Sequence, residues 1–460
     1  MTKRQQDILI EVSPGETRAA VVDGRGQLLA MHVERLGESA ATGAIHLGRV
    51  IRVEKGIGAA FVDIGAADPG FLGKARALTE GKAALVQTIR PAGGGKGAAL
   101  SATPVLTGRY LILDPMRPGL HVSRRLDGDP AAMQERLTRL LPEGMGLSAR
   151  APAVRADDAA LEAEVARLTA AWRRIEEQAA TARPPALLLA GAGMVETLLR
   201  DATGRVIVDE PQSFSRIRGQ VAREMPDLDG AIELYRGDRP LFEEAGIEEQ
   251  LEAALAPAVA LKDGAGLVIE TTEALCAIDV NMGAAGGRLP SDAAILKTNL
   301  SAAEAVARQI MLRNIGGTVV VDFISMRNKG HRKQVVDAMR RAMRDDTVTC
   351  DVLGMTAAGL VEITRQRLGT SLAERFVRPA RRVPEPLPGA VGCAALRAVL
   401  RHGGAGAVTL AAGPEVVAAL RGPLAEALAE TARRLGRDLQ LDARPGRAGF
   451  EILSAGRGHG

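Results

Sequence analysis

The sequence predicts an α/β multidomain protein, and three observations carry that prediction. At 460 residues the chain is too long for one ordinary core. Its first hundred residues alternate apolar and polar side chains at a strand period, with glycines at the corners. Further on, strand-like and helical runs interleave. Two of the apolar runs, Leu275–Asn281 and Thr318–Phe323, carry an aspartate near their C-terminal end, Asp279 and Asp322.

Composition narrows the class. A hydrophobic content of 46% with 25% charged residues describes a globular chain, not a disordered one. No apolar run approaches the ~20 residues of a membrane span, and no apolar core of a signal peptide follows Met1–Asp7. Cys276, Cys350 and Cys393 form no CxxC pair, which points to a reducing cytoplasm and against a cysteine zinc site. A net charge of +4 permits a nucleic-acid partner without requiring one.

Taken in order, residues 7–37 read as a small antiparallel meander, with turns at Ser13–Glu16 and Asp23–Gly26. From His46 to about Leu106, short strands with corner glycines predict a small closed barrel. Phe61 and Phe71 both fall in it. On an OB-type barrel such rings stack RNA bases from the outer face; on composition alone, a filling of the small core is the favoured alternative. Lys96, in Gly93–Gly97, fails the P-loop pattern because glycine follows the lysine, and fits a basic hairpin touching a phosphate backbone. Tyr110–Leu113 is strand-like, Gly146–Arg150 resembles a strand ending in an arginine, and a helix from about Ala156 to Thr181 has most of its charges on a solvated face. Strand and helix alternate through 186–235, and an acidic helix covers Ile247–Leu255. A helix from about Ser301 to Asn314 lies between the two aspartate runs.

Those aspartates are where chemistry enters. Adjacent strands would bring both carboxylates to one rim, and Mg²⁺ accepts one or two carboxylates while keeping water and phosphate ligands. Alone, each aspartate reads as a turn former or helix N-cap after a buried strand.

The surrounding motifs are similar to those of the ribonuclease E/G family of endoribonucleases. They are Glu270–Asn281, Lys297–Leu300, Gly316–Ile324, Gly354–Thr356 and Gly359–Arg367, with 43 positions from Asp279 to Asp322; upstream, Gly58–Gly65 and Lys96–Leu100 look like the family's RNA-binding barrel. The resemblance is collinear over about residues 7–375. It implies a ribonuclease H-like domain (1–37 and 193–254) with an inserted S1-like OB barrel (38–104) and a 5′-sensor domain (105–192). A DNase I-like catalytic domain (255–376), a linker (377–389) and a small C-terminal α/β domain (390–460) would follow.

By the same resemblance Asp279 and Asp322 would hold Mg²⁺, with Asn281 near the scissile phosphate. Phe61, Phe71 and Lys96 would contact RNA, which turns the reading of the two rings outward. The implied substrate is single-stranded, AU-rich RNA in ribosomal RNA processing and messenger decay, cut to 5′-phosphate and 3′-hydroxyl ends. The competing reading is a catalytically silent RNA-binding protein of the same fold.

Three departures from the family pattern stand out. The 5′-monophosphate pocket, built from Gly108, Ile112, Arg124 and Arg150, has Ala151 where the family has threonine, which predicts weakened 5′-end sensing. No Cys-Pro-x-Cys link follows Leu372, so zinc-joined dimers are not expected; a homo-oligomer stays open, a dimer before a tetramer. Ser325 replaces an acidic residue beside Met326. A short form without a long scaffold-type tail is expected, and the cytoplasm is the expected compartment.

Overall fold

A computed structural model describes residues 5–14, 16–35, 42–74, 78–92, 97–123, 126, 128–261, 264–283, 291–367, 369–376, 388–402, 407–446 and 449–454. Lys96, Arg124 and most of the expected linker lie outside these. The chain divides into two compact units, Met1–Val377 and Arg378–Gly460.

In the first unit, the meander Gln6–Ser13, Glu16–Asp23 and Leu28–Arg35 is extended in parallel by Val206–Val208 and Ile232–Leu234. Residues almost 200 positions apart thus share one five-stranded sheet. Alternation fills both faces. Ile8, Ile10 and Ala19 pack against Leu199, Ile217 and Val221, while Leu9, Val22, Leu28 and Val33 meet Phe242, Ile247 and Leu251. Leu312 and Leu372, from the far part of the unit, join the second of these cores.

His32 sits on this sheet, where burial and the nearby charge of Arg375 push its pKa down to about 4. The folded state keeps it neutral, whereas the unfolded chain protonates it near 6.5. Stability therefore falls as pH drops through the window from 6.5 to about 4, by about 1.4 kcal/mol per pH unit at most for one proton. Urea midpoints across that range should show this slope, and His32→Gln should flatten it.

Strands Ile45–Glu54, Ala59–Asp63, Gly70–Leu72, Ala99–Ser101 and Ala83–Arg90 close into a five-stranded barrel, the last pairing back onto the first. Val50, Val62, Leu72, Val86 and Leu100 fill it. Close packing explains Gly48: a Cβ there would stand 2.4 Å from a Val62 methyl.

The next module pairs strands Gly119–His121, Gly146–Ala149, Leu111–Asp114 and Leu106–Thr107, covered by helices Pro130–Leu140 and Asp158–Thr181. The long helix turns most of its charges to solvent, as expected, and the exception is Glu164, which is 2% exposed. Its carboxylate accepts the backbone N–H groups of Arg109, Tyr110 and Leu111 at 2.7–2.8 Å. Arg109, itself buried, continues the network to Asp227 and to the carbonyls of Leu199, Arg200 and Ala202. Satisfying these buried groups ties the module to the first sheet.

The last sheet of this unit runs Ala258–Ala260, Gly266–Thr271, Leu275–Asn281, Gly317–Asp322, Leu360–Arg365, Cys350–Met355. Helices Asp292–Leu312 and Lys329–Ala342 bury one face of it. The first of these begins nine residues earlier than the sequence suggested. Ser291 caps it by accepting from the Ala294 N–H, and the polar Thr298 and Asn299 that masked the helical pattern are buried for another purpose.

In the second unit, Val408–Ala412 lies between Leu439–Ala443 (parallel) and Phe450–Ser454 (antiparallel), packed by helices Pro388–Arg401, Pro414–Arg421 and Ala425–Leu435. The break between the last two helices falls at Gly422, as the Gly422-Pro423 pair suggests.

Candidate active site

The strand Leu275–Asn281 is buried at Cys276, Ile278 and Val280 and exposed at Ala277, Asp279 and Asn281. Gly317–Asp322 is likewise buried at Val319 and Val321 and exposed at Asp322. Period-two geometry therefore turns both aspartates away from the helices. The strands pair in parallel, joined by the helix Asp292–Leu312, and the register sets Asp279 directly beside Asp322. Neighbouring strands lie about 4.8 Å apart, so the two carboxylates stand abreast near the C-terminal rim of the sheet.

Asn281 is on the same exposed face, two residues on. Its amide donates to Asp279 Oδ2 at 2.8 Å, fixing one carboxylate oxygen. Two exposed carboxylates side by side form an oxygen-only donor set suited to a hard divalent cation. Among the described residues no third acidic, histidine or cysteine ligand converges with them. A cation held here would complete its shell with water and phosphate oxygens, the pattern typical of Mg²⁺.

One positioning residue carried no assigned role in the sequence reading. Asn299 is fully buried; its Nδ2 donates to the Ile324 carbonyl at 2.8 Å, and its Oδ1 accepts the Ile324 N–H at 3.1 Å. A side-chain amide thus serves as the backbone partner for the segment leaving Asp322. A buried polar residue in a helix, on the face toward the sheet, was the signal available.

A family model described as the ribonuclease E/G family matches residues 105–368, which contain this site. Ribonuclease G of Escherichia coli (strain K12) is 32% identical over 397 residues, covering 80% of this chain and 81% of its own. Ribonuclease E of Haemophilus influenzae is 35% identical over 389 residues, covering 78% of this chain and 41% of its own. The chain belongs to the ribonuclease E/G family. It spans most of the ribonuclease G relative and under half of the ribonuclease E one.

Elsewhere in this ribonuclease E/G chain, Phe61 and Phe71 are cross-strand partners on the barrel and lie outside its core. Their centroids are 5.9 Å apart in an edge-on arrangement, and Phe71 is 40% exposed. The Arg52 guanidinium lies 4.9 Å from the Phe61 centroid. Two rings and a cation on an outer barrel face make a surface on which a base can stack.

Of the residues assigned to 5′-phosphate sensing, Arg150 and Gly108 have packing or hydrogen-bond roles within the fold, and Arg124 lies outside the described residues. Arg150 donates to the carbonyls of Gly108 at 2.6 Å and Arg109 at 3.2 Å, and pairs with Asp201 at 2.8 Å. A Cβ on Gly108 would stand 2.4 Å from the Glu164 carboxyl carbon, so packing alone demands glycine there. Ile112 lies on the strand Leu111–Asp114, half-buried. Among the described residues, no helix is long and apolar enough to cross a membrane.

Proposed function

We propose that the chain is a Mg²⁺-dependent endoribonuclease acting on single-stranded RNA. The observation that carries this reading is the Asp279–Asp322 pair, set abreast at an exposed rim in a chain of the ribonuclease E/G family. Asp279 and Asp322 would hold the cation, which supplies a bound water of lowered pKa and a polarised phosphate. Asn281 orients the Asp279 carboxylate and offers its amide at the site's edge. Hydrolysis by water attack at phosphorus with departure of the 3′-oxygen, which takes a proton, leaves 5′-phosphate and 3′-hydroxyl ends. The aromatic pair on the barrel would hold unpaired bases, with Lys96, which lies outside the described residues, as a further RNA contact; AU-rich segments unstack most readily and suit it. Ribosomal RNA processing and messenger decay are the matching roles. The modules are read as ribonuclease H-like (the five-stranded sheet), S1-like (the barrel), 5′-sensor-like (around Arg150), DNase I-like (around the aspartates) and a small C-terminal α/β domain.

Incubating the protein with Mg²⁺ and, in parallel, single-stranded RNA, duplex RNA and free nucleotides tests the proposal. Internal cuts confined to the single strand support it. RNA binding without cleavage under any divalent cation would instead identify a silent RNA-binding protein. A second expectation concerns the 5′ end. With Ala151 lacking a hydroxyl and Arg150 committed to Gly108, Arg109 and Asp201, substrates bearing 5′-hydroxyl and 5′-monophosphate should be cut at rates within about threefold, since a missing phosphate donor is worth ~1–3 kcal/mol. A monophosphate preference of tenfold or more would overturn that expectation.

A further inference from the structure

The helix that follows Asp322 builds a second charged feature. Lys329, Arg332, Lys333 and Arg340 line one side of an open trough of about 400 Å³, and Gly354–Thr356 form the other. Among the described residues no carboxylate lines it. Arg332 is steadied by donating its Nε to the Met326 carbonyl at 2.6 Å, and Arg340 has a long pair to Asp337 at 3.4 Å. Among the described residues, no ion pair engages Lys329, Arg332 or Lys333. Surface arginines elsewhere in this protein commonly have such partners, as in Arg205–Asp7 and Arg434–Glu430.

Shape and position indicate what such a trough takes. From Lys329 to Arg340 the cations extend over about 16 Å of helix at 1.5 Å per residue. A lone small anion needs a convergent site; a row of four cations along an open channel, three of them without an ion pair, suits an extended polyanion. The Thr356 N–H bonds the Leu360 carbonyl, and Leu360 is the register partner of Asp322. The strand wall of the trough therefore lies in the same row as the two aspartates, about two strand spacings, or ~10 Å, from Asp322. Its helix wall is on the other side of the sheet from the two aspartate side chains, so a strand that reaches both passes over the rim at which they stand. The helix N-terminus, capped by Asn328 six residues after Asp322, adds its positive end to that rim.

We propose that this trough binds the backbone phosphates of the RNA strand on one side of the phosphate held at Asp279 and Asp322. The inference rests on RNA being the substrate. Solvation of a charged helix face is the plain alternative, and the experiment separates the two. A Lys329→Gln/Lys333→Gln double variant should bind a labelled single-stranded RNA of about 20 nucleotides more weakly at low salt. Its plot of log binding constant against log KCl should be shallower by about 1.4, two contacts at ~0.7 each for single strands. Its kcat/KM on the same RNA should fall about tenfold. Arg173→Gln/Arg174→Gln, which removes two exposed charges from the helix Asp158–Thr181, is the reference and should change neither slope nor rate beyond about twofold.

If the Lys329/Lys333 variant matches the reference while the wild type cleaves RNA, the trough is a solvated face and the nuclease reading survives. If the slope falls as expected but no variant or wild type ever cleaves, the trough stands and the nuclease reading fails. Loss of inorganic phosphate binding with RNA binding unchanged would make this a small-anion site and overturn the proposal.

Discussion

Asp279→Asn and Asp322→Asn should each lower cleavage of single-stranded RNA by about a thousandfold or more, equivalent to about 4 kcal/mol of transition-state stabilisation. Asparagine keeps the shape of the side chain and removes its charge. At position 279 the new amide can still present an oxygen to Asn281, so the local hydrogen bond survives while the cation loses one of its two anionic ligands. Both positions are exposed at the end of a strand, and neither side chain packs in the core of that sheet. Folding should therefore be unaffected, and RNA binding through the Phe61–Phe71 surface should persist. Cleavage time courses, Mg²⁺ titration and binding of the uncut RNA check the three parts separately. A variant within a few-fold of wild type would remove that aspartate from the site.

The rim that carries Asp279 and Asp322 was readable in the chain because it is a local pattern. An apolar strand with one carboxylate at its end announces both its burial and its exposed tip. Two such strands separated by a helix leave parallel neighbours as the economical arrangement. What escaped the reading depends on partners distant in sequence. Glu164 looks like any acidic residue on a helix; the three amides it accepts come from residues 109–111. That contact is also what fixes Gly108, whose glycine had a functional reading. The start of the helix Asp292–Leu312 is hidden in the sequence because Thr298 and Asn299 interrupt its apolar stripe, and Asn299 is polar there to hold Ile324. The basic run around Lys329 is unremarkable as sequence, and becomes a trough once the strand Cys350–Met355 stands beside it.

The residue with the greatest expected effect on stability is at the opposite end of the Asp322 strand. Arg365 pairs with Gly317 in the ladder, and its guanidinium donates to Asp346 from Nε at 2.6 Å and from Nη2 at 3.2 Å. Its Nη1 donates to Asn314 Oδ1 at 2.9 Å and to the Ile315 carbonyl at 3.0 Å. Asn314 has φ of +49°, the left-handed turn that ends the helix Asp292–Leu312 and sends the chain toward Asp322. One buried cation therefore holds the helix end, the strand start and Asp346, and the side chains of Arg365 and Asp346 are 4% and 3% exposed. Removing one partner leaves a buried charge without its counter-ion, at a cost of about 3–5 kcal/mol. Asp346→Ala should lose that much stability in urea unfolding followed by circular dichroism. An Arg365→Met/Asp346→Leu double variant should recover a large part of it, because the charges leave together. It would still lack the Arg365 bonds to Asn314 and Ile315, so its remaining defect should be in kcat, through a loosened approach to Asp322. An Asp346→Ala loss below about 1 kcal/mol would mean that water reaches the site and that the pair does not set the strand.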